Sequence, residues 1–337
     1  MYYLNRLFHL DLKRMFTTVK KIAKRSGRPF IVIFIDIILC SIKFGSGYMD
    51  YFQFYFERLN DYQRSTYINR TVNNNYFRLL NDREYFHIFQ NKHEFLKMFS
   101  EYIRRDYVML EECSYDEYLK FIKKHPDFMA KPDDGLCGKG VEAIDAKGKD
   151  PKKLYDSFIA NSQLLLEEKI VQNEQISSIY PLSINTIRVV TVNINEKVSV
   201  PFVAIRIGDG GRVVDNFNNG GMFTVVDEDG VIRKPAINKE NEVFYKHPYT
   251  GTDIVGFRIP MYEEIIAQCK EMALKIPEVG YVGWDMTVSD KGIDVVEGNQ
   301  LPGYDIYQSY PHLNEDLCGL KPRFDRIIYA DRLKEQK

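Results

Sequence analysis

Cysteine is sparse in this chain and unpaired in its spacing. The five thiols, Cys40, Cys113, Cys137, Cys269 and Cys318, are scattered, with no C-x-x-C among them. That pattern excludes the common zinc sites and a disulfide framework, and it fits a reducing compartment. Net charge is also missing. Lys and Arg number 46 against 47 Asp and Glu, for a formal charge of -1. No bulk field draws the chain to nucleic acid, and no nucleic-acid partner is expected. Tryptophan is reduced to one residue, Trp284, although Tyr and Phe number 23 and 22. Long apolar runs are lacking too. The longest, "PFIVIFIDIILCSI" from Pro29, carries Asp36 in its middle. It falls short of the roughly 20 residues a spanning helix needs, and it reads as a buried helix or strand. No secretory-signal pattern opens the sequence, so a cytoplasmic location is expected. Repeats and low-complexity linkers are absent as well.

A chain of 337 residues can bury a large core and divide into two or three domains. Residues 1–88 read as mainly helical. In "MDYFQFYFERLNDYQRSTYINR" aromatics recur at three- and four-residue spacing, a stripe that is more often core than ligand site. The start is basic, with Arg6, Lys13, Arg14, Lys20, Lys21, Lys24, Arg25 and Arg28 against Asp11 alone. A solvated helix face is the bland reading. The functional one is peripheral contact with an anionic inner membrane face.

From about residue 89 the pattern changes. "NKHEFLKMFSEYIRRDY" reads as a helix, and "CSYDEYLKFIKKHP" as another, started by Ser114 or Asp116 and stopped near Pro126. Short strands follow: "DFMAKP", "VEAI", "QLLLEEKI", "TIRVVTVNI", "VSVPFVAIRIG" and "GMFTVVD". A helix, "MYEEIIAQCKEMALKI", comes after Pro260. The fold class is α+β with mostly hairpin-linked strands.

Three stretches hold chemistry. In "GWDMTVSDKGIDVVEGNQLPG", two β-branched segments flank the turn cluster Ser289-Asp290-Lys291-Gly292. A hairpin centred on Lys291 puts Asp285 opposite Glu297, and Asn299 shares the face of Glu297. Like charges opposed in a sheet destabilise it by up to about 1 kcal/mol, and a bound cation reverses the sign. All-oxygen ligands suit Mg²⁺. Read alone, the stretch serves equally as a cation site or as a solvated hairpin with surface acids. The second stretch is "FMAKPDDGLCGKGVEAI". Lys131 ends a strand, and Gly135, Gly138 and Gly140, with Lys139, form a loop that backbone N–H groups can wrap around an anion. Neither Walker A nor Rossmann spacing is present, and a strand follows in place of a helix. A phosphate-binding flap is favoured over an ordinary hairpin loop. The third stretch, "LLLEEKIVQNEQ", carries Glu167, Glu168 and Glu174 at the end of an apolar strand, and solvated side chains are its ordinary reading.

Taken in order, these pieces resemble the ATP-grasp superfamily, which includes D-alanine–D-alanine ligase, glutathione synthetase and ribosomal-protein glutamate ligases. The sugar-transfer-associated ATP-grasp family is the most similar branch. The resemblance is carried by "NKHEFLKMF", "AKPDDGLCGKGVEAI", "LSINTIRVVTV", "AIRIGDGGRVVDNFNNGGM", "HPYTG", "YVGWDMTV" and "VVEGNQLPG", from about residue 80 to 315. It implies an ATP-grasp fold, two α+β lobes enclosing ATP, preceded by a mainly helical N-terminal region. The implied divisions are 1–88 for that region, 89–170 for a small lobe with the Gly-rich flap, and 171–330 for a lobe with the metal and acceptor site.

The resemblance also implies roles. Lys92 and Lys131 would contact the phosphates of ATP, and the loop around Gly138 and Gly140 would fold over them. Glu167 or Glu168, with the backbone of Lys169 and Ile170, would face adenine, and Glu174 would take the ribose. Asp285, Glu297 and Asn299 match magnesium ligands, for two Mg²⁺ ions. Arg188 and Arg206 would meet the transferred phosphate, and Asn216 with Gly220 and Gly221 would lie beside the acceptor.

The implied reaction joins a carboxylate to an amine through an acylphosphate, a chemistry that asks for positioning and charge neutralisation. A sugar acid or an amino acid is the implied substrate, in surface polysaccharide synthesis. A nucleotide-binding subunit without turnover and a kinase-like phosphotransferase are the alternatives. Cys137 reads as a small packed residue and His247 as a turn residue before proline.

Overall fold

The computed structural model describes residues 11–133, 140–208 and 221–330. Two compact units emerge. One takes the N-terminal segment to Leu79 together with the chain from Gly303, and the other runs from Leu80 to Pro302.

In the first unit α1 (Leu12–Ser26), α2 (Phe30–Phe44), α3 (Tyr48–Gln53), α4 (Asp61–Ser65) and α5 (Arg70–Leu80) follow in order. Asp11 starts α1 by accepting the Arg14 N–H at 2.9 Å, and Gly27 ends it at φ +69°. The apolar run forms α2. Its expected burial holds for one stripe only: Ile33, Ile37 and Cys40 are buried, whereas Ile31, Ile35, Ile38 and Ile42 are exposed. A neighbouring helix covers one side of α2, and a run apolar all round has no periodicity to reveal which side. Asp36 points inward, where Arg64 donates to both its oxygens at 2.9 and 2.7 Å and Tyr51 donates at 2.6 Å. Among the described residues no helix is long and apolar enough to cross a membrane.

The sequence reading runs the last lobe to residue 330, but the chain after Pro302 belongs with the helices. Tyr304, Tyr310, Leu313 and Leu317 pack against the core of Val19, Ile33, Tyr51, Phe54 and Tyr67. Phe324, in the helix Lys321–Ile328, stacks on Tyr76. These aromatics carry no local signal of the distant surface they cover.

The second unit holds two antiparallel sheets. The smaller contains β1 (Tyr107–Met109), β2 (Asp127–Lys131), β3 (Glu142–Asp145) and β4 (Leu165–Glu168), in the order β1-β4-β2-β3. The larger contains β5 (Thr186–Ile194), β6 (Lys197–Ile207), β7 (Met222–Val225), β8 (Ala236–Ile237), β9 (Val243–Phe244), β10 (Tyr281–Ser289) and β11 (Gly292–Asn299). Its order is β11-β10-β5-β6-β7-β8-β9. Among the described residues of this unit the helices are α6 (His87–Gln90), α7 (Lys92–Met98), α8 (Tyr115–Lys124), α9 (Pro151–Ala160), α10 (Glu174–Ser177) and α11 (Tyr262–Lys275).

Local chemistry sets several of these boundaries. Ser114 caps α8 in a reciprocal box with Glu117. The α8 and α9 side chains Tyr118, Phe121 and Phe158 pack on Phe128 and Leu166 of the small sheet. The long helix expected over "NKHEFLKMFSEYIRRDY" stops at Met98, with a single 3-10 turn over Ser100–Tyr102 beyond it. Tertiary contacts override propensity there: Phe95 and Phe99 pack ring to ring at 4.9 Å, and the Arg104 N–H is drawn to Asp294 at 3.2 Å.

Candidate functional site

The β10–β11 hairpin closes through Asp290 and Lys291, pairing Ser289 with Gly292, whose φ is +106°. A regular ladder from that turn sets Asp285 opposite Val296. An irregularity after Met286 leaves Val296 as an extra residue, so Asp285 pairs with Glu297. The expected pairing is therefore reached through a β-bulge, a device that re-aims side chains. Asn299 lies two residues on and donates to Glu297 at 3.2 Å.

Gly298, between them, packs against the aromatic floor. A Cβ there would stand 2.8 Å from a Phe95 ring carbon and 2.9 Å from Phe89. Only glycine brings the strand this close, so Glu297 and Asn299 stand on a rigid base. Below them Trp284 is buried against Phe89 and Phe99 and donates its indole N–H to Thr191 at 2.9 Å.

Cations surround the acids. Arg188, the β5 partner of Asp285, donates to both its oxygens at 2.5 and 2.8 Å, and Arg206 of β6 adds a contact at 3.2 Å. Gly283 makes room for Arg188, since a Cβ there would meet its side chain at 3.2 Å. Burial opposes the charge on Asp285, but the two guanidiniums outweigh it and hold the carboxyl down at about 2. Glu297 goes the other way. The residue is exposed overall, yet loss of water around its carboxylate and the facing Asp285 charge push its pKa up. Two opposed acids, one held ionised and one driven toward neutrality, form a site that an additional cation would relieve. Asp285, Glu297 and Asn299 offer an all-oxygen donor set of the kind Mg²⁺ takes, so the residues present fit that ion.

Lys92 and Lys131 reach the same region from the small-sheet side. The ammonium of Lys92 donates to the carbonyls of Pro132 and Asp133 at 2.7 and 3.2 Å. Burial and the proximity of Lys131 lower its pKa, while Asp133, Glu297 and Glu167 partly compensate. Two lysines crowded together are a cation pair suited to a polyanion. Asp133, where the β2–β3 connection begins, accepts from Asn91 at 2.5 Å and from the His93 N–H at 3.0 Å, fixing the base of the connection to α7. Gly140, at its far end, has φ +77°, a conformation that favours glycine. Gly138, Lys139, Cys137, Asn216 and Gly220 lie outside the described residues.

Of the remaining candidates, Glu167, Glu168, Lys169 and His247 have defined partners. Glu167 is buried and binds Lys131 and Arg105, the latter at 2.8 Å. Burial opposes its charge, but Arg105 and Lys131 bring it down to about 2. Glu168 accepts from Lys291 at 2.5 Å and from the Asp106 N–H at 2.9 Å. Lys169 pairs with Asp127 at 2.6 Å, Ile170 is half-buried, and Glu174 is exposed in the first turn of α10. His247 is buried in its turn, with Nε2 donating to Gly208 at 2.8 Å while Nδ1 accepts two backbone N–H groups.

Arg105 is the residue sequence reasoning missed. It also binds Asp294 and the Val295 carbonyl, both at 2.8 Å, and so joins β4 to β11. Its only signal was a doubled arginine in a helix-like run. A second group of potential metal ligands, Asp106, His125 and Glu168, lies apart from Asp285 and Glu297 and pairs with Lys124 and Lys291.

Comparison with known proteins adds the family. The solved structures similar to this chain include the ATP-grasp ligase PsnB complexed with a minimal precursor. The identity is 12% and the TM-score 0.44, over 74% of this chain and 63% of that one. Phosphoribosylamine–glycine ligase from Thermotoga maritima is similar at 14% identity and a TM-score of 0.41, covering 66% and 50%. D-Alanine–D-alanine ligase from Helicobacter pylori is similar at 16% and 0.37, covering 68% and 58%. The chain thus spans about half to two thirds of the length of these structures. No curated protein matches it. The family profile described as sugar-transfer associated ATP-grasp matches residues 71–312, which takes in the whole two-sheeted unit and short flanks on either side, and the chain belongs to that family.

Proposed function

We propose that this chain is an ADP-forming ligase that uses ATP and Mg²⁺ to join a carboxylate to an amine. The observation that carries the reading is the opposition of Asp285 and Glu297 across β10–β11, within a cationic set drawn from both sheets. Mg²⁺ held by Asp285, Glu297 and Asn299, as two ions in this reading, would neutralise the phosphates of ATP. Lys92 and Lys131 bind those phosphates, and the connection carrying Gly138 and Gly140 covers them. The backbone of Lys169 and Ile170 receives adenine. The side chains of Glu167 and Glu168 are engaged elsewhere, and Glu167 serves by holding Lys131 in place. Glu174 takes the ribose.

Arg188 and Arg206 orient the phosphoryl group being moved, with Asn216 beside the acceptor. The acceptor carboxylate attacks the γ-phosphorus, the bond to ADP breaks, and an acylphosphate forms. The amine then displaces inorganic phosphate and loses a proton. No protein nucleophile is required, so the chain's work is positioning and charge compensation. The family's association with sugar transfer supports a sugar acid or an amino acid as one substrate, in surface polysaccharide synthesis in the cytoplasm. The test is a screen of acid and amine pairs for ADP release with γ-labelled ATP. A ligase releases ADP only with both substrates, and the label ends as inorganic phosphate. Label retained on the product means a kinase, and nucleotide binding without turnover on any pair means a binding subunit.

A further inference from the structure

The helical unit carries an exposed apolar face that the site does not use. On α2, Ile31, Ile35, Ile38 and Ile42 recur at helical spacing on the side away from the buried Ile33, Ile37 and Cys40, with exposures of 59, 49, 43 and 71%. Leu39 lies beside them at 56%. Phe16 of α1, 43% exposed, stacks on Phe30 and Phe34 with centroids 6.0 and 5.8 Å apart, so the apolar surface continues onto α1. Next to Phe16 around α1 come Lys13, Lys20 and Lys24, all exposed. Helix α1 contains no acid, and the only acid of α2, Asp36, is turned inward onto Arg64 and Tyr51. The result is a contiguous apolar stripe with a lysine edge. A patch of this kind on a water-soluble fold marks an interaction surface.

We propose that this face docks on an anionic lipid bilayer, with α2 lying in the plane of the interface. Its isoleucines and Phe16 enter the acyl boundary, while Lys13, Lys20 and Lys24 sit at the level of the phosphates. A helix of 15 residues measures about 22 Å, too short to span the hydrocarbon layer, so contact is one-sided. The lysine edge argues against a second copy as the occupant. A second copy would offer that edge no free acid from α1 or α2, whereas an anionic lipid surface offers phosphates. The proposal does not depend on the ligase reading, and its test leaves catalysis aside.

The full chain is sedimented with vesicles of phosphatidylcholine alone and of phosphatidylcholine mixed with phosphatidylglycerol. Binding is expected to the mixed vesicles, weakening as salt rises. Ile35→Asp and Ile42→Asp should each lower partitioning about tenfold or more with little change in melting temperature, because both side chains lie on the solvent side of α2. Lys20→Glu combined with Lys24→Glu should remove the preference for the anionic lipid. The proposal fails if the wild-type chain stays in the supernatant, or if the aspartate variants bind as well as it does. It fails equally if light scattering finds a dimer that Ile35→Asp dissociates while vesicles capture nothing.

Discussion

Asp285 and Glu297 face each other across one strand pair and titrate in opposite directions. Linkage fixes what each does to stability. A depressed carboxylate adds stability that is complete above its unfolded value, about 3.9 for Asp. That contribution is lost as pH falls through the folded value, here about 2. A raised carboxylate behaves oppositely, and ionising Glu297 in the fold costs stability from about pH 4.3 upward. Ligand-free Glu297→Gln should therefore melt above wild type at pH 7, and the gain should vanish below about pH 4. Paired thermal scans measure this; a variant less stable at pH 7 would mean the carboxylate is satisfied without a cation. A second prediction concerns Gly298. Alanine there meets Phe89 and Phe95, and urea denaturation should find a loss of about 1–3 kcal/mol. The spacing of Asp285 and Glu297 about Lys291 made their facing across the hairpin legible in the sequence. The bulge at Val296 was not, because β-branched residues read the same inside a regular ladder and at a bulge. The floor under Gly298 was equally hidden, since a strand glycine signals close approach without naming its neighbour.

Among the elements, Arg105 links the sheets. It is buried between Glu167 of β4 and Asp294 of β11, and Glu167 also holds Lys131. Removing one partner of a buried ionic network strands the others, at a cost of about 3–5 kcal/mol. Arg105→Met is expected to lose that much in urea denaturation and to weaken ATP binding as Lys131 loses its fixed partner. Glu167→Gln keeps a hydrogen-bonding group in place and should cost less. Equal losses for the two variants would show that shape outweighs charge in this network. Strands β2 to β7, helix α8 and its Ser114 cap were readable because alternation, turn clusters and capping boxes are local signals. Arg105 was not, because its partners lie 62 and 189 residues away. The early end of α7 follows from the same cause: packing of Phe95, Phe99 and the arginines ended a helix that propensity alone would continue.

For the whole molecule, the sequence changes pattern near residue 89, whereas the helical and two-sheeted units divide between Leu79 and Leu80. The return of the chain after Pro302 to the helical unit was not visible, since Tyr304 and Phe324 meet partners near the other end of the sequence. The exposed side of α2 was hidden for another reason, because an unbroken apolar run has no period. The single tryptophan offers a clean reporter. Trp284 is part of β10 in the acidic hairpin, next to Asp285 and inside the unit of residues 80–302, and no second indole confuses its signal. The most direct measurement is its fluorescence during thermal unfolding, with and without ATP and Mg²⁺, for wild type and Glu297→Gln. At 100 times the dissociation constant, binding should stabilise the wild-type transition by about 2.7 kcal/mol. Little or no stabilisation is expected for the variant. A wild type that does not shift, or a variant that shifts as far, would contradict the assignment of the Asp285–Glu297 hairpin as the metal and nucleotide site.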